Sequence, residues 1–121
     1  MARLFVYGTL KKNQRTHHLL KSLNANFVDE ATTDDQYKLY KIDWFPGMVE
    51  GSGGDVGDGG VKGEVYEVSS EALRAIDRYE GVAGGLFVQK EINTSAGKSI
   101  VYLYNGEVEE ASLVESGVWE P

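Results

Sequence analysis

The segment "RLFVYGT", at Arg3–Thr9, limits the fold more than any other stretch of this chain. In an extended backbone successive side chains alternate between faces, and here both faces are apolar: Leu4 and Val6 on one, Phe5 and Tyr7 on the other. Such a strand needs cover on both sides, so it belongs inside a layered fold rather than at a solvated surface. It ends abruptly at Gly8 and Thr9, ahead of the polar run "KKNQRTHH".

The segments that follow predict short strands with few helices. "THHLLKSL" predicts one or two helical turns with Thr16 as N-cap. "NANFVDEATTDDQYKLYKID" predicts two strands around a turn near Asp34–Asp35, and "WFPGMVEG" carries a turn signal at Pro46–Gly47. Gly51–Gly60, "GSGGDVGDGG", predicts a loop or flexible hairpin. Its Asp55 and Asp58 match no EF-hand spacing, and the stretch completes no P-loop. "VKGEVYEV" predicts a strand in which Gly63 marks a bulge or a close backbone approach.

"SSEALRAIDRYEG" is the clearest helix. Ser69 or Ser70 caps it, Glu71 suits its first turn, and Gly81 ends it. Leu73, Ile76 and Tyr79 or Glu80 share one face. "GLFVQKEIN" and "SIVYLYN" predict two more strands joined through "TSAGK". The tail predicts a short helical turn with Trp119 packing back. The whole predicts an α+β chain with a curled or partly closed sheet, in one domain over 1–121.

Composition narrows the function classes. A net charge of −7 argues against nucleic acid or an anionic membrane surface as a partner. The one basic patch, Lys11, Lys12, Arg15, His17 and His18, reads as a solvated loop and helix face. With no cysteine there is neither a disulfide framework nor a thiolate nucleophile or metal ligand. The apolar run Leu4–Tyr7 is too short for a signal segment or a membrane span, so the expectation is a soluble, cytoplasmic protein. His17 and His18 are adjacent and leave a helix in different directions, which does not suit one metal ion. No HExxH, GxSxG or GxGxxG is present, so neither metal nor cofactor is expected.

Carboxylates and backbone donors remain. Glu80 stands at the predicted C-terminal end of a helix, where the dipole disfavours an anion. Helix-end effects of about 0.3–1 kcal/mol raise a carboxyl pKa by under about one unit, so a working base near neutrality needs burial as well. By position alone Glu80 reads first as a helix end in water. The strand exit Tyr7-Gly8-Thr9-Leu10 leaves N–H groups without ladder partners, and Gly8 permits a positive φ and a close approach. Such a turn can form an anion-binding concavity or be an ordinary strand-to-loop connection.

Taken together in order, "FVYGTLKKNQRTHHLL", "YKLYKIDWFPGMV", "VKGEVYEV", "LRAIDRYEG", "SIVYLYN" and "ESGVW" resemble the γ-glutamylcyclotransferase-like proteins, in particular the small γ-glutamylamine cyclotransferase-like branch. The resemblance spans nearly the whole chain, and the ordered set is more specific than any single block. It implies a small mixed β-barrel flanked by a few helices, and cyclisation of a γ-glutamyl amine or amino acid to 5-oxoproline with release of the amine. It implies no metal and no cofactor. By the same match Glu80 takes the place of the catalytic glutamate, while Tyr7, Gly8, Thr9, Leu10 and Tyr104 take substrate-binding places. Glu64 is the competing carboxylate. Many members carry Tyr-x-Arg where this chain has Phe87 and Gln89, a departure that bears on substrate choice. The expected partner is a small γ-glutamyl compound, bound by a monomer or weak dimer; the alternative is a binding module on the same scaffold that turns nothing over.

Overall fold

The computed structural model describes residues 1–34, 36–50, 60–109 and 112–120. Its elements run β1 (Ala2–Val6), α1 (His17–Ser22), β2 (Asn26–Thr32), β3 (Tyr37–Lys41), β4 (Pro46–Glu50), β5 (Lys62–Val68), α2 (Ser70–Tyr79), β6 (Phe87–Thr94) and β7 (Gly97–Tyr104). Five strands form one sheet in the order β2-β5-β1-β7-β6, and β3 and β4 form a separate antiparallel pair. All neighbours in the large sheet are antiparallel except β1 and β7, which are parallel at Leu4 and Ile100.

The doubly apolar first strand occupies the centre of this sheet, covered on both faces. Phe5 and Tyr7 face the concave side, packed with Val65, Val101, Ile92 and Trp119 and with Tyr37, Leu39 and Met48 of the β3–β4 pair. Leu4 and Val6 face the other side, against Leu20 of α1 and Ala72 and Ile76 of α2. The sheet curls until its edge strands meet at one end: Thr33 bridges Thr94, and the Ser95 N–H donates to the Thr32 carbonyl at 3.0 Å. The α+β class holds, with a curled sheet that does not close into the expected barrel; the β3–β4 pair fills its inside instead.

Local chemistry explains most boundaries. Ser69 is extended and its hydroxyl accepts from the Ala72 N–H at 3.0 Å, a regular N-cap for α2. A side chain at Gly63 would put Cβ 2.2 Å from the Val6 carbonyl oxygen, which is the close approach its place in the strand predicts. Trp119 packs back into the core as expected.

Two expectations need correction. Pro46 and Gly47 do not form a turn: they open β4, where proline at the first residue of a strand sacrifices no ladder bond, and the bend lies before them at Asp43–Phe45. Thr16 stands at the N-cap position of α1 but caps nothing, because its backbone (ψ 16°) is turn-like rather than extended. The two strands expected around Asp34–Asp35 are β2 and β3, and each pairs elsewhere, β2 with β5 and β3 with β4. The loop expected at Gly51–Gly60, with Asp55 and Asp58, lies outside the described residues except for Gly60, as does Asp35.

Candidate active site

The exit of β1, the end of α2, the bend before β4 and the start of β6 enclose a cavity of about 140 Å³. Tyr7, Gly8, Thr9, Leu10 and Glu80 all line it, with Trp44, Phe45, Pro46, Tyr79, Leu86, Phe87 and Tyr102 among the remaining walls.

Glu80 reaches the cavity through the way α2 stops. It is the C-cap, still in the right-handed region, and Gly81 follows with φ +67°. The Gly81 N–H donates to the Arg78 carbonyl at 3.2 Å and the Val82 N–H to the Asp77 carbonyl at 3.1 Å. These two bonds are the Schellman pattern, which satisfies the orphan carbonyls and turns the chain sharply. The Glu80 carboxyl is left half-buried among apolar walls, and burial pushes it up to about 7. Burial, rather than the helix end, accounts for the shift.

The β1 exit is tied down by its acceptors. The Gly8 carbonyl accepts from the Lys11 N–H at 3.1 Å and the Thr9 carbonyl from the Thr16 N–H at 3.0 Å. The Leu10 carbonyl lies 2.7 Å from His17 Nδ1, which must carry a proton to satisfy it. Among the described residues no acceptor engages the N–H groups of Gly8, Thr9 and Leu10. The loop is thus fixed by its oxygens, and three successive residues that line the cavity keep N–H groups without an acceptor, donors of the kind that can hold an anion or oxyanion. Gly8 has no positive φ here; it is required because a Cβ would lie 2.6 Å from Pro46 Cγ.

Tyr7 is a wall and a brace. Its hydroxyl donates to the Tyr102 carbonyl at 2.7 Å and accepts from the Met48 N–H at 3.1 Å, tying β7 to β4. Burial first, and the charge of Glu80 second, hold that hydroxyl far above its ordinary pKa, so it stays neutral. Glu64 does not line the cavity. It supports the loop from β5, accepting from the Lys12 N–H at 3.0 Å and from the Tyr66 hydroxyl at 2.8 Å.

Tyr104, expected in the wall, does not line the cavity and packs against Phe87 with ring centroids 5.7 Å apart; from the same strand it is Tyr102 that lines the cavity. The Tyr102 hydroxyl donates to Asp77 Oδ1, and the Gln89 amide donates to Asp77 Oδ1 at 2.9 Å and to the Tyr102 hydroxyl at 3.4 Å. Sequence reading missed Tyr102 and Asp77. The signal was the hairpin register: a two-residue turn at Ser95–Ala96 pairs Gln89 with Tyr102 and Phe87 with Tyr104. Among the described residues no cluster of acidic or histidine side chains is arranged to hold a metal ion, and no helix is long and apolar enough to cross a membrane.

Comparison with known proteins places the chain in a family. The family model for "Gamma-glutamyl cyclotransferase, AIG2-like" proteins matches residues 4–121. The γ-glutamylcyclotransferase family protein YtfP of Citrobacter rodentium is 35% identical over 117 residues, which are 97% of this chain and 94% of that one. Gamma-glutamylaminecyclotransferase C of Danio rerio is also 35% identical, over 98% of this chain and 77% of its own. Among solved structures, an uncharacterized protein from Pyrococcus horikoshii superposes with a TM-score of 0.76 at 30% identity, covering 98% of this chain and 89% of the other. The solution structure of YtfP from Escherichia coli gives 0.72 at 31% identity, covering 97% and 95%. On the match over residues 4–121, with relatives aligned along nearly its whole length, this chain belongs to the AIG2-like γ-glutamyl cyclotransferase family.

Proposed function

We propose that this chain cyclises a γ-glutamyl amine or γ-glutamyl amino acid to 5-oxoproline, releasing the amine, in the cytoplasm and without a cofactor. The observation that carries the reading is one cavity lined both by Glu80, whose carboxyl pKa is raised to about 7, and by Gly8–Leu10, whose N–H groups have no acceptor.

The substrate supplies its own nucleophile. Its α-ammonium gives a proton to the Glu80 carboxylate, and the freed amine attacks the γ-carbonyl carbon to close a five-membered ring. Charge moves onto the carbonyl oxygen, where the loop donors oppose it. The Glu80 carboxylic acid then protonates the departing nitrogen, the C–N bond breaks, and the second proton on the ring nitrogen passes through the restored carboxylate to the released amine, which leaves as its ammonium and returns Glu80 to the carboxylate. A carboxyl near 7 suits both transfers, since each protonation state is populated at neutral pH. Holding the ring-closing conformer is the larger part of the work, because nucleophile and electrophile share one molecule.

Glu80→Gln tests this. The variant should keep its circular dichroism spectrum and lose about 10²-fold or more in 5-oxoproline release. Release at the parental rate would remove Glu80 from the mechanism. Parental affinity for γ-glutamyl amides by calorimetry, with no release even from the parent chain, would instead favour a binding module.

A further inference from the structure

Two buried tyrosines share the cavity with Glu80, Tyr7 from β1 and Tyr102 from β7. Both hydroxyls lie within reach of the Glu80 charge, which after burial helps to keep each of them neutral. A neutral phenol beside a carboxylate is a ready donor to it, and such a bond favours the charged form of the acid. Neither hydroxyl makes that bond here. Among the described residues nothing donates to the Glu80 carboxyl, and burial alone sets its state.

Each hydroxyl proton is taken by another acceptor. The Tyr7 hydroxyl donates to the Tyr102 carbonyl at 2.7 Å. The Tyr102 hydroxyl donates to Asp77 Oδ1, three residues before Glu80 on the same side of α2. Asp77 Oδ1 also accepts from the Gln89 amide at 2.9 Å, and Gln89 stands opposite Tyr102 in the β6–β7 hairpin. Two strands thus send donors to one carboxylate on α2. The other acceptor near the Tyr102 hydroxyl is the Leu73 carbonyl, which at 3.5 Å is too distant to compete. Asp77 itself does not line the cavity.

We propose that Asp77 is a positioning residue for the reaction: by accepting the Tyr102 proton it keeps that hydroxyl off Glu80, and leaves the acid–base carboxyl free of hydrogen bonds from neighbouring side chains until substrate arrives. The inference rests on the assignment of Glu80 above. A buried donor is costly to leave unpaired. Without Asp77 the Tyr102 hydroxyl is left to the carboxylate that shares its cavity, and a carboxylate that accepts such a bond is a weaker base. The other titratable groups facing Glu80 are Tyr7 from β1 and Tyr79 of its own helix, and from the segment before α1 the Arg15 guanidinium lies 5.2 Å from the centroid of Trp44 in the cavity wall. All three are common to the variants that test the proposal.

Carbon-13 NMR of the chain labelled at the glutamate side-chain carboxyl reads Glu80 directly, its signal identified by its loss in Glu80→Gln. The parent midpoint should fall near 7. Asp77→Ala should lower it by about one unit or more. Asp77→Asn keeps an oxygen to accept the hydroxyl and should leave the midpoint near the parent value. Adding Tyr102→Phe to Asp77→Ala should bring the midpoint back, because no hydroxyl remains to donate. The acidic limb of kcat/KM for 5-oxoproline release should move in the same order. An Asp77→Ala midpoint equal to the parent's overturns the proposal. So does a midpoint that stays low in the double variant or falls equally in Asp77→Asn, since the lost charge would then be the cause. Should Asp77→Ala fail to fold, Asp77→Leu, which fills the space without an acceptor, takes its place under the same criteria. The midpoints need no turnover: a parent chain that releases no 5-oxoproline fails the reaction assignment, and the NMR series still decides whether Asp77 holds the hydroxyl away.

Discussion

Burial acts on two neighbouring groups in one cavity and leaves them with different chemistry. Tyr7 begins with a high pKa, so burial only secures its neutral form, and the hydroxyl serves as a bonded strut between Tyr102 and Met48. Glu80 begins low, so the same effect brings it to about 7, where it can both take and give a proton. Tyr7→Phe should therefore act on the scaffold. The Met48 N–H would lose its acceptor, at a cost of about 1–3 kcal/mol in urea unfolding. An unchanged midpoint would mean the hydroxyl braces nothing. Glu80 and the Tyr7–Leu10 exit stood out in the sequence because each breaks a local rule: an acid at a helix C-terminus, and a buried strand that stops at a glycine. Trp44 and Leu86 break no local rule. They become walls of the cavity only when the chain folds, which is why periodicity and spacing did not single them out.

Among the elements, α2 is the one whose boundaries matter most for the site, since its last turn aims Glu80. Gly81 sits at φ +67°, a conformation that costs a non-glycine residue about 1–2 kcal/mol. Gly81→Ala should therefore destabilise the chain by about that amount and also disturb the turn that directs Glu80. Gly97→Ala is the control, because Gly97 has φ +98° at the β6–β7 turn and does not line the cavity. The two should lose similar stability, with 5-oxoproline release falling several-fold further in Gly81→Ala; equal losses of release would detach the helix end from catalysis. Ser69, Gly81 and the doubly apolar β1 were legible beforehand because capping, left-handed turns and face alternation are local or one-strand properties. Strand partners were not. β2 finds β5, about thirty to forty residues away, and Pro46 begins a strand instead of a turn because β3 is there to receive it. Those outcomes are decided by which apolar faces meet in the core, information spread over the whole chain.

At the scale of the molecule, the site's chemistry sets a pH dependence on the fold. The Glu80 carboxyl titrates near 7 when folded and near 4.5 as an ordinary exposed group. Between those values the folded chain holds a proton that the unfolded chain has released, so stability falls as pH rises across this window. The contribution is fully present below about 4.5 and is lost once pH has passed through about 7. Glu80→Gln removes the titration while keeping a polar group of similar shape. All other carboxylates are common to both chains, including Glu50, which Lys90 holds below the ordinary range, and so they cancel in the comparison. The variant should gain on the parent by about 1–3 kcal/mol between pH 4.5 and pH 8, read as a difference in Tm of several degrees that opens with rising pH. A difference in Tm that stays constant across the range would mean the carboxyl is hydrated in the fold and not poised near neutrality. The gain in stability and the loss of turnover should appear in the same variant: a carboxylate kept out of water is costly to the fold above neutrality, and that same desolvation raises its affinity for the proton it must take from the substrate's ammonium.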